Sequence, residues 1–154
     1  MTDFILARAI HVLAVLLWIG GLAFVTTVAT PLVRHSQSPA RRMAAFHGFE
    51  QRFAPQVRIW VLLAGASGFW MVYRADMWSR FTEPRFWWMH AMVGLWAVFM
   101  TTLFVIEPLV LRRRPKQPAD PVANFDRLER MHRLLLAVAI ITLLGAVAGS
   151  HGLM

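Results

Sequence analysis

The chain has 154 residues, 58% of them hydrophobic, with a mean hydropathy of +0.53 and a net charge of +8. That is too apolar for an ordinary soluble domain of this size. Cysteine is absent, which excludes disulfides, iron–sulfur clusters and thiolate ligands.

Four stretches approach the roughly 20 apolar residues that a membrane-spanning helix needs. They are residues 9–33, 54–73 (interrupted by Arg58), 86–106 and 134–154. With their flanks they predict helices at about 4–33, 54–73, 86–108 and 132–152 in one domain, 1–154. The first carries His11 and Trp18 and ends in Thr30-Pro31-Leu32-Val33. It is too long for a signal h-region and lacks a basic n-region and an A-x-A site, so it reads as a retained helix. Residues 40–53 set Ala44, Phe46, Phe49 and Phe53 among charges. They predict an interfacial helix running into the second span, with Pro55 marking a bend. The second span carries Gly65 and Gly68.

The third span follows Pro84, an N1-type proline, and carries His90 and Trp96 before Glu107-Pro108-Leu109-Val110. Pro115, Pro118 and Pro121 predict a bent, solvated connection. The fourth span holds Gly145 and Gly149, a spacing that permits close helix approach, and closes at His151. A faint repeat runs through the chain: histidine, tryptophan, a proline motif, then the pairs Phe49-Glu50 and Phe125-Asp126. Short connections make sequential helices antiparallel. The expected fold is an all-α, integral-membrane, up-down four-helix bundle, read as a duplicated helical hairpin. Helices one and three then run in the same direction, diagonally across the core.

The charge orients the chain rather than binding nucleic acid. Arg34, Arg41, Arg42 and Arg52 fall in the first connection, and Arg112, Arg113, Arg114, Lys116, Arg127, Arg130 and Arg133 in the third. The positive-inside rule makes both cytoplasmic. Both termini and the 74–85 loop then face outward from a bacterial-type inner membrane.

An ionisable side chain inside a spanning helix is rare and usually functional. His11 and His90 sit near the N-terminal ends of parallel helices, so their depths differ by about a turn or less. His11, Trp18 and Val25 share one stripe; His90, Gly94, Ala97 and Thr101 share another. Small residues beside a histidine leave room for a flat ring, and paired histidines on facing helices are how bundles hold haem. One such histidine alone is explained by an interhelical hydrogen bond; two at one level point to ligation. His151 is a shallower substitute at the same rim. Arg8, Arg74, Arg80 and Arg85 are placed to pair with haem propionates, although interfacial anchoring accounts for them more simply. His47 and His132 share the inner side and allow a second site, where a solvated role is the simpler reading. Met71, Met77, Met89 and Met92 cluster toward the outer end, and thioethers with imidazoles suit Cu(I). Arg58 and Glu107 either snorkel or pair.

Ala9-Ile10-His11, Trp18, Gly20 and Gly21 resemble the first helix of the HemJ-type protoporphyrinogen oxidases and the related CopD-type copper-resistance membrane domains. Phe49-Glu50-Gln51-Arg52-Phe53 resembles the acid-x-Arg signature before the second HemJ-type helix. Trp88-Met89-His90-Ala91 resembles the start of its third. The resemblance spans nearly the whole chain and implies a four-helix fold binding haem b, with His11 as an axial ligand. Two departures stand out. Met92 replaces a lysine common to both families, and Glu129-Arg130-Met131-His132 replaces the Asn-Glu-x-Pro of the HemJ type. They weigh against protoporphyrinogen oxidation while leaving haem binding intact.

The resulting expectation is a b-type haem membrane protein with an electron-transfer or oxidoreductase role. Its axial ligands would be His11 and His90, with Trp18, Gly94, Arg8 and Arg85 around the ring. The expected partners are the lipid bilayer, a quinone, a porphyrin or a periplasmic redox protein, and a second copy of the chain. The alternatives are HemJ-like porphyrinogen oxidation, or CopD-like copper handling without haem.

Overall fold

A computed structural model describes residues 2–112 and 121–151. Its secondary structure is helical, with no strand among the described residues. Four long rods dominate. Rod α1 spans Thr2–Ser36, and α2 spans Arg42–Arg74. Rod α3 comprises Trp87–Thr101, a wide turn at Thr102–Ile106 and Glu107–Arg112. Rod α4 spans Pro121–Ser150. Helices Thr2–Ser36, Pro84–Leu109 and Val122–Ser150 are long and apolar enough to cross a membrane. The second rod falls short of that measure, since Gln56, Arg58 and Ser67 interrupt its apolar run.

Two rods begin earlier than their apolar runs. The expected interfacial segment is continuous with α2, which starts at Arg42 and runs through Pro55 without a break. The fourth rod starts at Pro121 rather than near residue 132. Proline is tolerated at a first helical position because its missing N–H has no acceptor there. The charged first turns of α4 are held by tertiary ion pairs, which a reading by apolar length does not register. Pro115 and Pro118, expected in a solvated loop, lie outside the described residues.

Contacts at the rod ends give the topology. Asp3 at the start of α1 pairs with Arg74 at the end of α2 (2.5 Å). Arg34 near the end of α1 pairs with Asp126 (2.5 Å) and Glu129 near the start of α4. Trp87 and Trp88 at the start of α3 lie against Gly145 and Gly149 near the end of α4. Each rod is therefore antiparallel to its sequential neighbour, and α1 meets α3 through Trp18 edge-on to Phe99 (5.0 Å). The central cluster is Ala14, Trp18, Ile19, Leu22, Val57, Val61, Ala64, Leu95 and Ala139, drawn from all four rods.

The repeat extends to local backbone geometry. In α1 a π turn at Val25–Ala29 precedes Thr30-Pro31, and in α3 one at Thr102–Ile106 precedes Glu107-Pro108. The Thr30 N–H bonds Val25 O and the Glu107 N–H bonds Thr102 O, each one residue wider than an α-helical bond. A proline ring crowds the carbonyl four residues back, and a wide turn relieves that crowding without ending the helix. The Thr30 hydroxyl adds a bond to Val25 O (2.8 Å).

Candidate functional site

His11 sits on the face of α1 that carries buried Ala7, Ala14 and Trp18. Its Nδ1–H donates to Ala64 O of α2 (2.9 Å), with Ser67 Oγ at 3.3 Å. The ring is seated on Gly68: a Cβ there would stand 3.1 Å from His11 Cε1 and 3.3 Å from Nδ1. A backbone carbonyl holding Nδ1–H fixes the tautomer and leaves the Nε2 lone pair free, the arrangement found in metal-ligating histidines. Small residues at Ala64, Ser67 and Gly68 bring α2 close enough to make this contact.

His90 is not opposite it. His90, Gly94, Ala97 and Thr101 do form one stripe, but every member is exposed. Trp88 and Leu95 fill the inner side of α3, with Phe99 packed beside Leu95 in the central cluster. His90 lies edge-on to Phe81 of the 78–82 turn (5.4 Å). A Cβ at Gly94 would meet nothing within 4 Å. The expectation that both imidazoles face each other across the interior is thus corrected for His90. Bulky residues take the inside of α3, and the small residues that were to make room for a ring fall outside.

The other expected residues are dispersed. His151 is exposed at the end of α4, its Nδ1–H directed to Val147 O (2.8 Å). Arg8 is exposed. Arg85 is exposed, pairs with Glu83 (2.6 Å) and lies over the Phe86 ring. Trp18 is buried and lies deeper than His11. Met89 is buried with Val72 and Trp88, and Met77 and Met92 pack against them. Met77, Met89 and Met92 thus share one apolar cluster with Val72 and Trp88. Among the described residues, no three His, Asp or Glu side chains group as a metal site.

The opposite, basic end of the bundle holds more interior polar chemistry than the sequence indicated. Glu129 is 5% exposed and is held by Arg34 and Arg133. Arg58 pairs with Glu107 across α2 and α3 (3.0 Å). A cavity of about 80 Å³ is lined by Trp18, Phe46, Phe49, Glu50, Phe99 and His132, among others. That is well below the roughly 300 Å³ at which cofactor-sized pockets begin. The sequence signals of this region were the paired Phe-acid motifs, His47 with His132, and Arg58 with Glu107. Comparison with family models, with characterised proteins and with solved structures gives no match.

Proposed function

We propose that the chain is a multi-pass protein of a bacterial-type inner membrane that binds haem b through His11 and serves a redox role. The observation that carries this reading is the seating of His11. Its Nδ1–H is committed to Ala64 O, its ring rests on Gly68, and its Nε2 is left as a basic ligand atom. Donor chemistry and tautomer fit an axial ligand; the outward His90 does not fit as its partner within one chain. Bound haem would supply one-electron chemistry. The residues of this chain would hold the imidazole in one orientation (Ala64, Ser67, Gly68) and keep the neighbouring interior apolar. A quinone, a porphyrin or a periplasmic redox protein are the partner classes consistent with that role.

Spectra of the purified protein test this. A Soret band with reduced α and β bands is expected. His11→Ala should abolish it, and His90→Ala should retain it. Gly68→Ala should shift the bands without removing haem, because the added methyl crowds the ring by only a few tenths of an ångström. A colourless wild-type protein would refute haem binding. Loss of haem in the His90 variant would refute ligation by His11 without His90.

A further inference from the structure

At the basic end of the bundle, α1 and α4 border an open groove of about 590 Å³. Every residue that lines it is charged: Arg34 of α1, and Asp126, Glu129, Arg130 and Arg133 of α4. Part of this wall is fixed. Arg34 is bound by Asp126 (2.5 Å) and Glu129, and its guanidinium lies over the Phe125 ring (5.4 Å). Glu129 also takes Arg133. These bonds tie the two rods together, so the groove is held open by the fold itself. Both carboxylates are thereby engaged. Arg130 is exposed and forms no ion pair among the described residues. Three arginines against two carboxylates leave one positive charge uncompensated. A monoanion complements it, and the planar donors of arginine suit a phosphate.

Depth and the adjoining surface indicate which phosphate. From Ala9 to Val33, α1 carries no Arg, Lys, Asp or Glu, and Arg34 is its first charge beyond that run. From Leu134 to Ser150, α4 carries none either, and Arg133 is its last charge before the run. The groove therefore lies where both rods leave the apolar interior, the level at which basic side chains meet anionic headgroups. Leu134, Val138 and Ile141 follow Arg130 along one face of α4, at spacings of four, four and three residues, and all three are exposed. A free anion makes no use of that apolar lane, whereas an acyl chain lies along it.

We propose that this groove binds an anionic phosphodiester lipid of the phosphatidylglycerol class. Arg130 takes the phosphate, and an acyl chain runs over Leu134, Val138 and Ile141. A headgroup bearing hydroxyls leaves the lipid at one negative charge and balances the groove. An ethanolamine headgroup brings its own cation and does not. The inference rests on the chain spanning a membrane and is independent of the haem reading.

The test is native mass spectrometry of the detergent-solubilised full chain, titrated with dioleoyl phosphatidylglycerol or dioleoyl phosphatidylethanolamine. The glycerol lipid should be retained about fivefold more strongly, the worth of one arginine near an anionic surface. Arg130→Gln should remove most of that preference. Arg52→Gln makes the same charge change at the same end, at an exposed residue outside the groove, and should keep it. Near-ultraviolet circular dichroism reports whether each variant is folded. Equal retention of the two lipids, or equal loss in both variants, overturns the site in favour of diffuse surface charge. Displacement of the lipid by millimolar inorganic phosphate overturns the lipid assignment.

Discussion

Gly65→Ala is the sharpest test of how the rods pack. Gly65 is buried on α2, and a Cβ there would stand 2.5 Å from Trp96 Nε1 and 2.6 Å from Cε2. That indole is doubly committed: its N–H donates to Val61 O (2.9 Å), and its ring meets Phe69 edge-on (5.5 Å). The methyl group can enter only if the indole moves and its hydrogen bond is lost. Overpacking of this kind costs about 1–3 kcal/mol, and a lost hydrogen bond about 0.5–1.5 kcal/mol. Replacing a glycine inside a helix returns roughly 1 kcal/mol. The net expectation is a loss of about 1–3 kcal/mol. Gly20→Ala is the internal control, because Gly20 is exposed and a Cβ there meets nothing within 4 Å. It should be neutral or stabilising by up to about 1 kcal/mol. Thermal unfolding of both variants in one lipid environment, followed by near-ultraviolet circular dichroism, measures the contrast. Trp96→Phe combined with Gly65→Ala should cost less than the sum of the two, since the changes share one contact. Equal stability of the Gly65 and Gly20 variants would refute the packing argument.

Two further expectations concern the basic end and the orientation. Arg34→Ala leaves the buried Glu129 carboxylate with Arg133 alone, loosening α1 from α4. A fully buried broken pair costs about 3–5 kcal/mol. Arg34 is 34% exposed and Arg133 remains, so about 1–3 kcal/mol is expected in the same unfolding assay, and Glu129→Gln should recover part of it. The native chain lacks cysteine, so single cysteines report topology cleanly. Ser36→Cys should be shielded from an impermeant thiol reagent in intact cells and Ser79→Cys labelled, because arginine concentrates at the end that Ser36 shares. The reverse pattern would invert the proposed orientation.

The sequence alone was sufficient for the helical class, the approximate rods and their antiparallel order. Those follow from apolar length, proline and glycine placement and short connections, all of which are local. It also marked the repeat, which the paired π turns before Pro31 and Pro108 extend to backbone geometry. Which face of each rod points inward was decided only by tertiary packing. A helix apolar on every side carries no amphipathic signal, and without a hydrophobic drive between such helices, shape selects the interface. On α1 that choice put His11 inside, seated on Gly68. On α3 it put Trp88 and Leu95 inside and His90 outside. The Trp18–Glu50–His132 cavity was equally invisible along the chain. Its lining residues come from different rods, and no local pattern along the chain brings them together.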